Sequence, residues 1–279
     1  MSCLALDQFQ SLDIQGKDAQ TFIQGLTTQN VLALTPNQAY FTAFCNQKGR
    51  VIASGILCLM SIGHYRFITQ KDSLKILLQH LRRYKLRSDT TFTDATPSII
   101  GYIGIPDSLS SLGPFHEGQI IETDAGTILC YDAHTPRFLT WSGISPNDEQ
   151  HSDAWTWCDI INKTPIISEK LQMLFTAHAL RYHEGNMIDF SKGCYLGQEI
   201  IARTHHLGKV KKKLAQYVHD TASITVGSEC LSEDGTPAGT ILLSCKNHSL
   251  AVISESALAN PLHVEDNGSV IALTPKTLD

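Results

Sequence analysis

Lys192-Gly193-Cys194-Tyr195-Leu196-Gly197-Gln198-Glu199 sets a thiol, two glycines, a cation, an amide and a carboxylate into eight residues. An apolar segment, Met187-Ile188-Asp189-Phe190, precedes it, and the helix-compatible run Gln198-Glu199-Ile200-Ile201-Ala202-Arg203 follows. The glycines therefore belong to the entry turn of a helix, where positive φ or close backbone approach suits them. Backbone N–H groups at a helix start have no partner within the helix and favour negative charge nearby. With Lys192 two residues away, Cys194 has surroundings that favour thiolate over thiol. Two readings stay open: a nucleophilic or redox-sensitive thiol, or a small buried hydrophobe, as most free cysteines are.

Together with Ala202-Arg203-Thr204-His205-His206-Leu207-Gly208, the octapeptide resembles the signature of the YgfZ-like folate-binding proteins and their mitochondrial iron–sulfur assembly relatives. These lie in the superfamily of the glycine-cleavage aminomethyltransferase. Ile14 to Ala19 and Phe22 to Thr28 resemble the family's opening helix and the turn after it. Tyr40 to Cys45, followed by Asn46-Gln47-Lys48-Gly49-Arg50-Val51, resembles its strand, Gly-Arg turn and next strand. The chain reads Thr28-Gln29-Asn30 where the family usually has Thr-Asn-Asp, which puts a carboxylate role there in doubt. Residues 90 to 160 match no motif.

The resemblance implies an α+β protein in three parts arranged as a ring: a discontinuous folate-binding domain (1–48 and 130–208), a middle ferredoxin-like domain (49–129) and a carboxy-terminal β-barrel (209–279). It implies tetrahydrofolate, or a one-carbon derivative, as cofactor. A pterin needs apolar or aromatic walls and a few polar groups to read its edge, and the motif offers Tyr195, Gly197, Gln198 and Glu199, with Arg203 and Arg50 as further candidates. Glu199 equally fits a first-turn acid that stabilises the helix dipole. Tyr195 and Gln198 equally fit core or capping roles, and we expect Arg203 to pair with Glu199 at i,i+4. The implied process is folate-dependent assembly or repair of iron–sulfur clusters in client enzymes, including those that thiolate tRNA, with Cys194 as the acting thiol and Lys192 tuning its charge. Alternatives are a glycine-cleavage-type aminomethyltransferase and a non-enzymatic tRNA-binding regulator.

Composition bounds these readings. A chain of 279 residues with 42% hydrophobic and 18% charged residues can bury the cores of two or three domains. A net charge of −5 argues against a surface that grips nucleic acid throughout, leaving at most a weak tRNA contact. No apolar run approaches the roughly 18 residues of a membrane span, and the amino end resembles neither signal nor transit peptide, so the expected location is cytoplasmic, away from membranes. Eight scattered cysteines without a Cys-x-x-Cys pair suit reduced thiols and give no metal-ligand spacing, so no metal site is expected. His205-His206 reads as a polar loop after the helix, with a ligand role as the lesser alternative.

Periodicity supplies the elements. Asp18 suits an N-cap for a helix over 18–26. Strands are expected at 39–45, 50–60, 64–69, 98–105, 118–122, 126–131 and 137–141, and helices at 71–87, 152–162 and 168–181. The last of these helices would align Leu171, Leu174, Phe175 and His178, with His178 a packed core residue. Short strands at 214–219, 224–231, 237–244, 249–254 and 269–273 suggest a small barrel. The basic end of helix 71–87 and the run Lys209-Val210-Lys211-Lys212-Lys213 read as solvated faces, and Lys211, Lys212 or Lys213 as a partner for a folate's glutamate tail.

Overall fold

A computed structural model describes residues 1–95, 98–124, 126–141 and 153–276. The chain opens with strands β1 (Ser2–Ala5) and β2 (Phe9–Gln15), helix α1 (Ala19–Gln24) and strands β3 (Tyr40–Cys45), β4 (Val51–Ser61) and β5 (His64–Gln70). Helix α2 (Leu74–Lys85) leads to β6 (Thr91–Ala95), β7 (Ile100–Ile103), β8 (Ile120–Thr123), β9 (Gly126–Asp132) and β10 (Arg137–Thr140). Helices α3 (Asp153–Asn162) and α4 (Gln198–Leu207) precede β11 (Lys212–Val218), β12 (Glu229–Leu231), β13 (Pro237–Cys245), β14 (His248–Ser254), β15 (Leu262–Asp266) and β16 (Ser269–Pro275).

Two five-stranded antiparallel sheets, in the orders β3-β4-β5-β2-β6 and β1-β7-β10-β9-β8, precede a closed six-stranded barrel, β11-β14-β13-β12-β15-β16. Strand β4 shows why the sheets stack. It is buried from Val51 to Cys58, because Ala53 and Leu57 face the core under α1 and α2 while Ile56 and Cys58 face the other sheet. Such two-sided burial gives an unbroken apolar run instead of an alternating one. The opposite sheet contributes Leu129, Tyr131 and Leu139 to this shared core, and Trp155 of α3 fills its floor. A further core joins Tyr195, Met187 and Phe175 to Leu214, Leu242 and Val252 of the barrel.

Hydrogen-bonded sheets cross two of the expected domain limits. Strands β3 and β4 pair across 48/49, and β9 runs through 129/130. The helix expected over 168–181 does not form: a single 3-10 turn, Glu169–Leu171, is followed by backbone paired with the start of β4. Met173 N and Phe175 O bond to Val51, Arg50 bridges Thr176, and Met173 takes φ +61°, which an α-helix forbids. Leu174 is 47% exposed, so the four residues do not share a buried face. Strands β1, β2, β6 and β15 were not expected. Asp18 starts α1 without capping it, and its carboxylate accepts from Asp89 N.

Gly55 of β4 pairs with Thr69 of β5, and a Cβ there would sit 2.0 Å from the Ile68 carbonyl oxygen. Gly55→Ala therefore forces the two central strands apart. The expected loss is about 2–3 kcal/mol, read as a lower urea midpoint at unchanged slope; an unchanged midpoint would contradict the packing.

Candidate functional site

The octapeptide turn is sewn to two distant segments. Lys192 is buried, and its ammonium donates to the carbonyls of Gln24, Thr27 and Gln29 at 2.8, 2.7 and 2.7 Å. The Tyr195 ring lies 4.8 Å away. Burial pushes the Lys192 pKa down to about 7, with Asp189 pulling the other way. Three acceptors use all three N–H groups of the charged form, so the cage fits the ammonium. Asp189 closes the loop by accepting from Ser191 and Lys192 backbone N–H groups. Burial would raise its carboxyl, but these bonds more than offset that and hold it below the usual range.

The turn ends at Gly197, whose φ of +85° and approach to Asn46 O, 2.6 Å from any added Cβ, require glycine. Gly49 meets Ile200 and Ile201 of α4 in the same way. The Gly-Arg turn and the octapeptide, 142 residues apart in sequence from Arg50 to Lys192, are thus packed together, with Arg50 Nη1 donating to the Met173 and Leu174 carbonyls. Cys194 is exposed, Tyr195 is buried, and Gln198 N donates to Tyr195 O. Glu199 sits in the first turn of α4. Glu199 and Arg203 are exposed and do not pair with each other, contrary to expectation; solvated surface charges gain little by pairing. His205 and His206 occupy the last turn of α4, not a loop, and His205 stacks on Phe190 at 3.8 Å.

Phe190 also neighbours His178, which is buried beside His183 with neither ring nitrogen hydrogen-bonded among the described residues. Burial, with repulsion from His183 and His205, pushes its pKa down to about 4. Among the described residues no group of three or more His, Cys, Asp or Glu side chains is arranged to hold a metal ion.

The sequence reading missed a second site. A cavity of about 260 Å³ opens between β9, the end of α3 and the turns at 180–187, walled by Phe41, Tyr131, Tyr182 and Met187. Arg137, fully buried, projects into it from β10 and bonds Asp159 at 2.7 Å and Asp132 at 3.2 Å. Its guanidinium also lies 4.7 Å from the Tyr131 ring centre and 4.9 Å from that of Trp155. Burial opposes the Arg137 charge, but Asp159, Tyr131 and Asp132 outweigh it and raise the pKa. Burial also raises the Asp159 carboxyl while Arg137 opposes it; at 2.7 Å the pair is best read as ionised. Glu117 lines the rim, and burial together with the Asp132 charge pushes its carboxyl up. Tyr131 Oη and Arg137 Nε are buried without a hydrogen-bond partner among the described residues. None of Tyr195, Gly197, Gln198, Glu199, Arg203 or Arg50 lines this cavity. Its only sequence signal is an arginine inside the apolar strand pattern at 137–141.

Lys192→Met takes the ammonium away from the carbonyls of Gln24, Thr27 and Gln29, the last keeping only Thr27 Oγ1 at 3.3 Å, so unfolding free energy drops by roughly 2–4 kcal/mol; a loss below about 0.5 kcal/mol by urea titration would contradict the cage. His178 titrates at about 4 in the folded protein against 6.5 unfolded, so the unfolded chain takes the proton first. Its contribution to stability is complete above pH 6.5 and is lost as pH falls toward 4. His178→Phe should flatten the acid side of the stability profile; an unchanged slope would refute this.

Residues 3–105 match the family described as GCVT N-terminal domain. The chain is 30% identical over 228 residues to an uncharacterised protein of Haemophilus influenzae (strain ATCC 51907 / DSM 11121 / KW20 / Rd), covering 81% of this chain and 77% of that one. It is 26% identical over 270 residues to a protein of Hamiltonella defensa named tRNA-modifying protein YgfZ, covering 87% and 79% of the two chains. A protein of the same name from Pectobacterium atrosepticum is 27% identical over 285 residues, covering 94% and 85%. In structure, the chain resembles the glycine cleavage system aminomethyltransferase T from Bartonella henselae with a TM-score of 0.72 at 11% identity, over 99% of this chain and 85% of that one. That likeness is one of fold.

Proposed function

The chain belongs to the YgfZ-like family within the superfamily of the glycine-cleavage aminomethyltransferase, and from that premise we propose that it binds tetrahydrofolate or a one-carbon derivative in the cavity beside Arg137. The observation that carries this reading is the cavity's chemistry: aromatic walls from Phe41, Tyr131 and Tyr182, with the unpartnered Tyr131 Oη and Arg137 Nε buried beside them. Buried polar atoms without partners are rare and call for a ligand or water. A planar pterin suits the walls, its ring oxygen and nitrogens suit the two unpartnered donors, and its N–H groups suit the carboxyls of Glu117 or Asp132. At about 260 Å³ the cavity is smaller than the roughly 300–1,000 Å³ of sites that enclose a drug-sized ligand. The ring end of the folate goes inside and the remainder extends outward.

In the same reading Cys194 is the acting group at the surface, supporting assembly or repair of iron–sulfur clusters in client enzymes, among them enzymes that thiolate tRNA. The supports are its exposure on a turn held rigid by Lys192 and Gly197, and the names of the relatives from Hamiltonella and Pectobacterium. Lys192 then acts by holding the turn, and Glu199 and Arg203 belong to the surface a client meets.

Calorimetric titration separates the two roles. Tetrahydrofolate should bind the wild-type protein and Cys194→Ala alike, while Glu117→Gln weakens it about tenfold, the worth of one charge-assisted hydrogen bond of about 1.5 kcal/mol. Cys194→Ala should nonetheless fail to restore iron–sulfur enzyme activity in a strain lacking the protein. Binding lost in Glu199→Ala but intact in Glu117→Gln would move the folate to the octapeptide turn, and full rescue by Cys194→Ala would remove the thiol from the mechanism.

A further inference from the structure

We propose that a second cavity, of about 580 Å³ between the turns at 178–184 and the barrel, is a carboxylate channel for the γ-linked glutamate tail of the folate. This rests on the reading that the ring end occupies the first cavity. Lys163 and Arg181 line both cavities, so the two lie on either side of one pair of cations, which a ligand reaching from the first to the second would meet.

The channel's charge runs against that of the molecule. Lys163, Arg181, Lys213 and Lys276 line it with Glu184 as the one acid, in a chain of net charge −5. A basic cleft in an acidic protein concentrates anions locally. Arg181 is bonded to Glu184 and Lys213 to Glu255, whereas Lys163 and Lys276 form no ion pair among the described residues. Burial lowers the Lys163 pKa and repulsion from Arg181 and Lys276 adds to it, with Glu184 opposing, so one acid stands against four cations in this lining. His178, buried and with both ring nitrogens unpartnered, also lines the channel and supplies one N–H from its neutral ring. A chain of carboxylates meets these needs successively: the first beside Lys163 and Arg181, later ones toward Lys213 and Lys276 at the barrel end.

The test compares tetrahydrofolate bearing one glutamate with the pentaglutamate form, by calorimetry at low and high salt, on the wild-type protein and on K213Q/K276E. Neither substituted residue lines the first cavity. The wild-type protein should bind the pentaglutamate at least about tenfold more tightly at low salt, with the advantage shrinking as salt rises. In K213Q/K276E the advantage should fall to under about twofold while the monoglutamate affinity stays unchanged. Equal affinity of the wild-type protein for both forms, or an advantage intact in the variant, would overturn the channel and leave the folate reading standing. Failure of both forms to bind would overturn the two together. Loss of tRNA binding in K213Q/K276E, with no pentaglutamate advantage in the wild-type protein, would assign the channel to phosphates and refute the proposal.

Discussion

The ammonium of Lys192, enclosed by the carbonyls of Gln24, Thr27 and Gln29, is the interaction on which the arrangement of both sites depends. A buried charge is costly unless its hydrogen bonds are complete, and here three backbone acceptors and an aromatic face complete them. The same strands of chain are stitched twice more: Thr28 Oγ1 donates to Met187 O at 2.6 Å and Asp189 N to Thr28 O at 3.0 Å. Met187 walls the first cavity, and Cys194 stands seven residues further on. One cage therefore fixes both the wall of the proposed folate site and the turn that carries the thiol. Buried Gln29, which also bonds the Asn186 carbonyl, performs this stitching where the family usually carries Asn.

What was legible in sequence is what short-range pattern encodes. The apolar run at 50–60 became the doubly covered strand β4, and regularly spaced short strands after 213 became the closed barrel. Of the octapeptide's glycines, Gly197 sits where the expected helix begins, in the left-handed conformation that its contact with Asn46 demands, whereas Gly193 has neither a positive φ nor a close contact. Failures came where distant partners decide. Leu171, Leu174, Phe175 and His178 mimic helical spacing, but hydrogen bonds to Val51 pull 173–175 into extended pairing. Strand β2 contains Asp13, whose burial is made tolerable by the guanidinium of Arg66 on β5 at 2.8 Å, a pairing no local window reveals.

The candidate site was legible in part for the same reason. Cys194 could be singled out because its glycines and lysine lie beside it in sequence. The cavity could not, because Tyr131 and Arg137 come from the region without motifs, Phe41 from the first sheet and Tyr182 from the later turns. Arg137 in particular opens an apolar strand run, and the carboxylates of Asp159 and Asp132, which make its burial possible, lie outside that run. Lys192 shows the converse: a cation next to a cysteine invites a catalytic reading, while its three hydrogen bonds support the proposal that it holds the turn.

The central claim is that a folate ring lies between Tyr131 and Tyr182 within reach of Arg137, away from the octapeptide turn. A crystal structure of the protein soaked with tetrahydrofolate tests this most directly. The account predicts density for the pterin in that cavity, bonded to Tyr131 Oη or Arg137 Nε. Density against Gln198 and Glu199, with the cavity beside Arg137 holding only water, would contradict it.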